Sequence, residues 1–286
     1  MTISIDALRS AEELSDCVAL QELLLGRHAR SIIHLPALAS IQRSGGLLVG
    51  AWREEGASRV LEGALVDLVG TAGAFPSRFT LFHGVSSSAR GRGIGTALRL
   101  GERNHCRHNG VDVVNWWIDP LRSVDTHVAL NKLGGIATAY SRNVFGELGD
   151  SPNRGLATDR LQVEWWVESP RVISVLDRKA ASQHLAMGLH QMDVLTKTAA
   201  RPAGYRTLLS YDTSATSRYV LAEIPTDLDR LRREDPEAAR RWRLGLRELL
   251  EVLLSDGFVV IGLIHEAGRS FHLLEQVDRS DVLGRP

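Results

Sequence analysis

The sequence predicts an α/β protein, and three observations carry that expectation. Short apolar runs bounded by glycine, such as "GGLLVGAW" and "EGALVDLVG", read as neighbouring antiparallel strands. Other stretches repeat their apolar residues at helical spacing, as residues 10 to 27 do with Leu14, Cys17, Val18, Leu24 and Leu25. The two patterns alternate along all 286 residues, enough chain for two modest domains.

Taken in order, Gln21 is the one polar break in the first helical stripe. "FTLFHGV" reads as a third strand. A helix follows, with Ala97, Leu98, Gly101 and His105 on one face and Arg99, Glu102, Arg103 and Arg107 on another. It stops at "HNG", where Gly110 suits a C-cap. "VDVVNWWID" is a strand closed by Asp119-Pro120, and the helix "VDTHVALNKL" ends at Gly134-Gly135. "DRLQVEWWVESP" is a late strand, and Pro170 marks the expected boundary between a domain of residues 1–170 and a smaller unit of residues 171–286. In that second part "YRTLLSYD", "RYVLAEIP", "FVVIGLI" and "SFHLLEQV" read as strands. Its long helix begins at Asp235-Pro236, an N-cap followed by proline in the first turn. The unit is either a small α/β domain or an extension of the first sheet. No tandem repeat or low-complexity tract interrupts the chain.

Composition narrows the functions. Lys plus Arg equals Asp plus Glu at 34 each, so a general polyanion binder is excluded and any anion site must be local. Nucleic acid is not an expected partner. The two cysteines, Cys17 and Cys106, lie in helical segments and fit a reduced cytosol. "MTISIDALRSAEELSD" lacks a basic region followed by an apolar run, and no apolar run approaches the roughly 20 residues that span a bilayer. A cytoplasmic protein without a membrane partner is expected.

The most specific stretch is "VSSSARGRGIGTALRLGERN". A strand, a glycine-rich turn and a helix make an anion site, because the first N–H groups of a helix have no internal partners and carry the positive end of its dipole. Gly91, Gly93 and Gly95 remove three Cβ atoms, and Arg90 and Arg92 add charge. The dinucleotide fingerprint fails, since its last glycine position falls on Thr96 or Leu98, and no Gly-Lys-Ser/Thr supports a P-loop. What survives is R-x-x-G-x-G, at Arg90, Gly93 and Gly95.

That pattern resembles the acyl-CoA diphosphate loop of the GNAT superfamily of N-acyltransferases. The V-x-x-x-x-R-G-x-G-x-G spacing runs from Val85 to Gly95, and "NKLGG" follows where the family has a similar turn. The chain is also similar to a less-characterised GNAT branch through Asp119-Pro120-Leu121, "FGELGDSPNRGLATDRLQVEWW", "AEIP" and "DPEAARRWRLGLRELL". Some members of that branch are associated with N-acylamino-acid racemase pathways, where an amino acid would be N-succinylated. The resemblance implies a mixed, mostly antiparallel central sheet flanked by helices, with a C-terminal α/β extension that completes the acceptor pocket or makes a homodimer contact. It implies direct transfer of an acyl group from acetyl-CoA or succinyl-CoA to a small-molecule amine, with no metal. Other acyl-CoA chemistry on the same fold (O-acylation or decarboxylation) and a non-catalytic acyl-CoA-binding module stay open.

By the same resemblance, Gly84, Val85 and Ser86 offer a main-chain edge to pantetheine, and Arg90, Gly91, Arg92, Gly93, Ile94, Gly95 and Thr96 cradle the diphosphate. Asp125 stands where many relatives have a CoA-contacting asparagine, and Leu130 where many have the tyrosine that protonates the leaving thiolate. His83 is the candidate general base, or a satisfied histidine of the strand. Asp119 faces the acceptor or caps the turn at Pro120. Asn131, His127 or Tyr140 would compensate for the missing tyrosine. Arg154 and Arg160 would hold a carboxylate, or Arg160 would pair internally with Asp159 or Glu164. Trp117 would line the acceptor cleft. Two weaker signals point elsewhere: "HCRH" is a helix surface rather than a zinc site, and Arg241, Arg243 and Arg247, interleaved with Glu248 and Glu251, form a solvated or interface face.

Overall fold

The computed structural model describes residues 3–56, 58–177 and 192–284. The chain forms two compact units, Met1–Trp116 with Leu148–Arg154 and Trp117–Glu147 with Gly155–Pro286. Both are mixed α/β, with mostly antiparallel sheets and flanking helices.

The first unit runs β1 (Ile3–Ala7), α1 (Ala11–Leu25), α2 (Leu35–Arg43), β2 (Leu48–Glu55), β3 (Ser58–Ala72), β4 (Phe75–Val85), α3 (Ile94–His108) and the start of β5 (Val113–Ile118). The strands lie in sequence order, antiparallel except for the parallel β4–β5 pair. A capping box starts α1: Ser10 accepts from the Glu13 N–H while the Glu13 carboxylate accepts from the Ser10 N–H at 3.0 Å. Successive strand residues point to opposite faces, so β2 and β3 feed two cores. Leu48, Trp52, Ala64 and Val66 pack with Leu14, Cys17 and Leu20 of α1 and Leu38 and Ile41 of α2. Val49, Ala51 and Leu65 pack on the opposite side with Ile94 and Leu98 of α3. Gln21, the polar break in the α1 stripe, is buried; its side chain accepts from the Ile33 N–H (2.8 Å) and donates to the Ile33 carbonyl (3.2 Å). Cys17 and Cys106 are buried free thiols, and burial pushes both up to about 12.

The second unit continues with α4 (Ser123–Thr126), which runs on through a π-helical stretch at His127–Lys132, then β6 (Ile136–Ser141), β7 (Arg160–Trp166) and α5 (Pro170–Leu176). After these come β8 (Asp193–Val194), β9 (Thr196–Ala200), β10 (Arg206–Tyr211), β11 (Tyr219–Ile224), α6 (Leu228–Glu234), α7 (Pro236–Ser255), β12 (Phe258–Glu266), β13 (Arg269–Gln276) and α8 (Arg279–Leu283). Its larger sheet has the order β7-β6-β12-β13-β11-β8, and β9 and β10 form a separate two-stranded sheet. Asp235 caps α7 by accepting from the Ala238 N–H at 2.9 Å, with Pro236 in the first turn, as its sequence predicts. The buried Trp242 of α7 donates to the Arg206 carbonyl (3.0 Å), and a Cβ at Gly245 would collide with Leu208, so α7 lies close against β10. Ser169 is the N-cap of α5 and Pro170 its first residue.

Candidate functional site

The first unit contains the glycine-rich turn. Gly93 is the N-cap of α3, in the left-handed region at φ 81°, and no side chain caps the helix. The first intrahelical bond is Ala97 N–H to the Gly93 carbonyl (2.9 Å), which leaves the Ile94, Gly95 and Thr96 N–H groups beyond the helix's own ladder. Gly91 also has a positive φ, 76°, and a Cβ at either glycine would meet nothing within 4 Å. These two glycines therefore set the backbone of the turn and leave space over it. Gly95 differs: a Cβ there would lie 3.4 Å from the His83 ring and 3.7 Å from Val85, so this glycine brings α3 close to β4. Ile94 belongs to the core, while Thr96 is half-buried in the first turn.

The strand leading into the turn is irregular. The β3–β4 register shifts between Val66–Phe82 and Asp67–Thr80, so Leu81 bulges from β4. Beyond the bulge, the Ser86 N–H donates to the Glu62 carbonyl at 2.8 Å. Alternation along the antiparallel ladder then makes Gly63–Val85 a non-hydrogen-bonded pair, with the Val85 N–H and carbonyl directed away from β3. On that side the β4–β5 ladder joins Ser77–Phe79 to Val113–Asn115 and goes no further, although β4 continues to Val85. Arg90 donates from Nε to the Val85 carbonyl (3.3 Å) and remains exposed. Gly84 sits close under neighbouring side chains: a Cβ there would fall 2.6 Å from Leu24 of α1, which would have to shift.

Side chains around the turn are tied down. Ser86 is buried and donates to Glu62, which also accepts from Arg53 Nε at 2.6 Å. The Ser86 bond, then Arg53 and the Arg92 charge, hold the Glu62 carboxyl below its ordinary range against the opposing effect of burial. His83 places Nε2 3.1 Å from the Gly95 carbonyl. Burial, followed by the Arg99 guanidinium, pushes its pKa down to about 3, so the ring is neutral and Nε2 donates.

The second unit holds the other candidates. Asp119 accepts two bonds from Arg243 Nη2, at 2.8 and 2.7 Å, and one from the Leu121 N–H at 2.9 Å. Burial alone would raise its pKa, but Arg243, then Arg160, outweigh that and keep it ionised. It therefore caps the turn at Pro120 and also pairs with Arg243. Tyr140 donates to Asp159 at 2.7 Å; burial and that carboxylate raise its pKa, so it is a neutral phenol. Arg247 meets both Asp159 oxygens, from Nε at 2.8 Å and Nη2 at 2.9 Å. Arg160 is buried; it donates to the Asp159 backbone carbonyl (2.8 Å) and lies 5.2 Å from the centre of the Phe145 ring, which packs edge-on to Trp117. Both amide ends of Asn131 are engaged by Leu263 of β12, at 2.8 Å each. Asp125 and His127 are exposed, and Leu130 is fully buried. Arg154 is exposed and belongs to the first unit, Arg160 to the second.

One expectation is corrected. Arg243 is 2% exposed and Arg247 is half-buried, so only Arg241 of that arginine set faces solvent. The i, i+4 spacing puts Arg243 and Arg247 on one side of α7, where Asp119 and Asp159 receive them. The pairings of Arg243 with Asp119 and of Arg247 with Asp159 are thus what the sequence left unseen; the repeated arginine spacing was the available signal. Among the described residues no three His, Cys, Asp or Glu side chains gather into a metal site, and no helix is long and apolar enough to cross a membrane.

No protein-family model and no curated protein matches the sequence. Among solved structures, the chain is similar to the ribosomal-protein-S18-alanine N-acetyltransferase from Escherichia coli, at 14% identity over 58% of this chain and 94% of that chain, with a TM-score of 0.46. It is similar to an N-acetyltransferase from Staphylococcus aureus Mu50 at 16% identity over 59% of this chain and all of that one, TM-score 0.43. It is also similar to a ribosomal-protein-alanine N-acetyltransferase from Brucella melitensis, at 16% identity over 56% and 98% of the two chains, TM-score 0.43.

Proposed function

We propose that this chain is a CoA-dependent N-acyltransferase that moves an acetyl or succinyl group from acyl-CoA to the amine of a small molecule, an amino acid by the sequence resemblance. One observation carries the reading: a glycine-opened helix start with no side-chain cap, beside a strand edge whose Val85 N–H points away from β3. A diphosphate would be received by the Ile94, Gly95 and Thr96 N–H groups with Arg90 and Arg92 beside it, and a pantetheine amide would pair with Val85.

In this reading the acceptor nitrogen forms a bond to the thioester carbonyl carbon. The tetrahedral oxyanion collapses, the C–S bond breaks, and CoA leaves as a thiolate while the new amide loses a proton to water. Positioning and oxyanion stabilisation supply the rate. A strong general acid is unnecessary, because a thiol of pKa about 8.5 leaves readily as its anion. His83, with its lowered pKa, and Tyr140, with its raised one, are poorly matched to proton transfer at neutral pH.

The test mixes purified protein with acetyl-, succinyl- or malonyl-CoA and a panel of amines, following free thiol and product mass together. Amine-dependent thiol release with an acylated product is expected. Release of CO2, an ester product, or tight CoA binding without turnover would overturn the transferase reading in favour of decarboxylation, O-acylation or a binding module respectively.

A further inference from the structure

The outward side of α7 carries a feature that the proposed reaction does not use. Glu237, Arg241, Leu244, Glu248 and Val252 are all exposed, and their spacing of three or four keeps them on one face. Leu244 is 52% exposed, and Leu209, the residue at which the β9–β10 register shifts, is 59% exposed. Both line a shallow groove between β10 and α7, with Arg241 and Glu248 at its sides.

The two charges that flank the apolar centre of this stripe have opposite signs. Arg241 lies three residues before Leu244, and Glu248 lies four residues after it. Within its own chain Arg241 has the Asp235 charge nearby, and Glu248 accepts from the Tyr211 hydroxyl. Suppose two copies of α7 cross antiparallel about a twofold axis at Leu244. Arg241 of each copy then faces Glu248 of the other, twice over, and the two Leu244 side chains meet beside the Leu209 pair. A parallel crossing would set Arg241 against Arg241. A self-complementary patch of this kind is what an isologous contact requires.

We infer that the α7–β10 face is a twofold interface between two copies of this chain. The inference is independent of the acyltransferase reading. Sedimentation equilibrium of the full chain at micromolar concentration should give twice the 31.4 kDa chain mass. Leu244→Arg should give a monomer whose circular dichroism matches the parent and whose melting temperature no longer depends on protein concentration, and Leu209→Ser should raise the dimer Kd. Arg241→Glu and Glu248→Arg should each raise the dimer Kd at least tenfold, and the double reversal should restore it to within about threefold of the parent. A monomeric parent chain, a dimer indifferent to Leu244→Arg and Leu209→Ser, or a double reversal no tighter than the single ones would overturn the assignment.

Discussion

At the scale of single residues, Asp119 and Arg243 decide the most. The pair is buried on both sides, with side chains 8% and 3% exposed. Removing one partner of a buried ion pair strands the other's charge, at a cost of about 3–5 kcal/mol. Asp119→Asn should therefore lower the unfolding free energy by about that amount in urea titrations, and adding Arg243→Met should recover much of it. If Asp119 instead acts in the chemistry, folded Asp119→Asn will lose kcat beyond its loss of stability. The glycines separate in the same way. Gly93→Ala, in a left-handed position, should cost about 1–2 kcal/mol of stability and, by covering the helix start, weaken CoA binding at least tenfold in calorimetry. Gly95→Ala adds a methyl facing His83 inside a helix, so both stability and CoA affinity should stay near the parent's. Sequence alone could mark all three glycines but could not divide their roles. That division depends on φ and on what a Cβ would meet, and neither is encoded in spacing.

At the scale of elements, the legible parts were those with strong local rules. The apolar stripe of α1, the Asp235-Pro236 start of α7 and the turn before α3 all carry their own punctuation. α2 carried less: nine residues, "LPALASIQR", with two buried positions, too short for a periodic pattern to stand out. The helix after Pro120 was legible as a helix, but its π-helical second half was not. Partners far apart in sequence were invisible, as with Asp119 and Arg243 at a separation of 124 residues. Asn131 belongs with these. Its amide holds β12 beside the register shift between Val260 and Gly262 through two bonds to Leu263, 132 residues away. Asn131→Ala should leave the Leu263 N–H and carbonyl unsatisfied and cost about 1–3 kcal/mol. Amide exchange of Leu263 should speed up more than that of Phe271 in β13. Uniform loss of protection across both strands would show that Asn131 does not act locally.

The whole molecule contains buried groups whose titrations oppose one another. His272 is fully buried, with Nε2 donating to the Pro120 carbonyl at 2.7 Å. Burial outweighs that bond and pushes its pKa down to about 4. In the unfolded chain the ring titrates near 6.5, so the unfolded state binds the extra proton first. Stability from neutral His272 is complete above pH 6.5 and drains away as pH falls towards 4. Asp67 has the reverse sign. Burial, then the Glu102 charge, push it up to about 7 in spite of Arg78, from an ordinary value of 3.8. Here the native state takes the proton first, so this group favours the fold as pH falls from 7 towards 3.8. The windows overlap, and in the parent the two slopes partly cancel. His83, also lowered, adds to the His272 side. Each substitution should expose its opponent. Asp67→Asn should steepen the fall of unfolding free energy between pH 6.5 and 4, by up to about 1.4 kcal/mol per pH unit where one proton is involved. His272→Gln, which retains a donor for the Pro120 carbonyl, should make the fall shallower over the same range. Urea unfolding at half-unit pH steps measures both slopes. Parallel profiles for the parent and the two variants would mean that neither buried group changes its proton binding on folding.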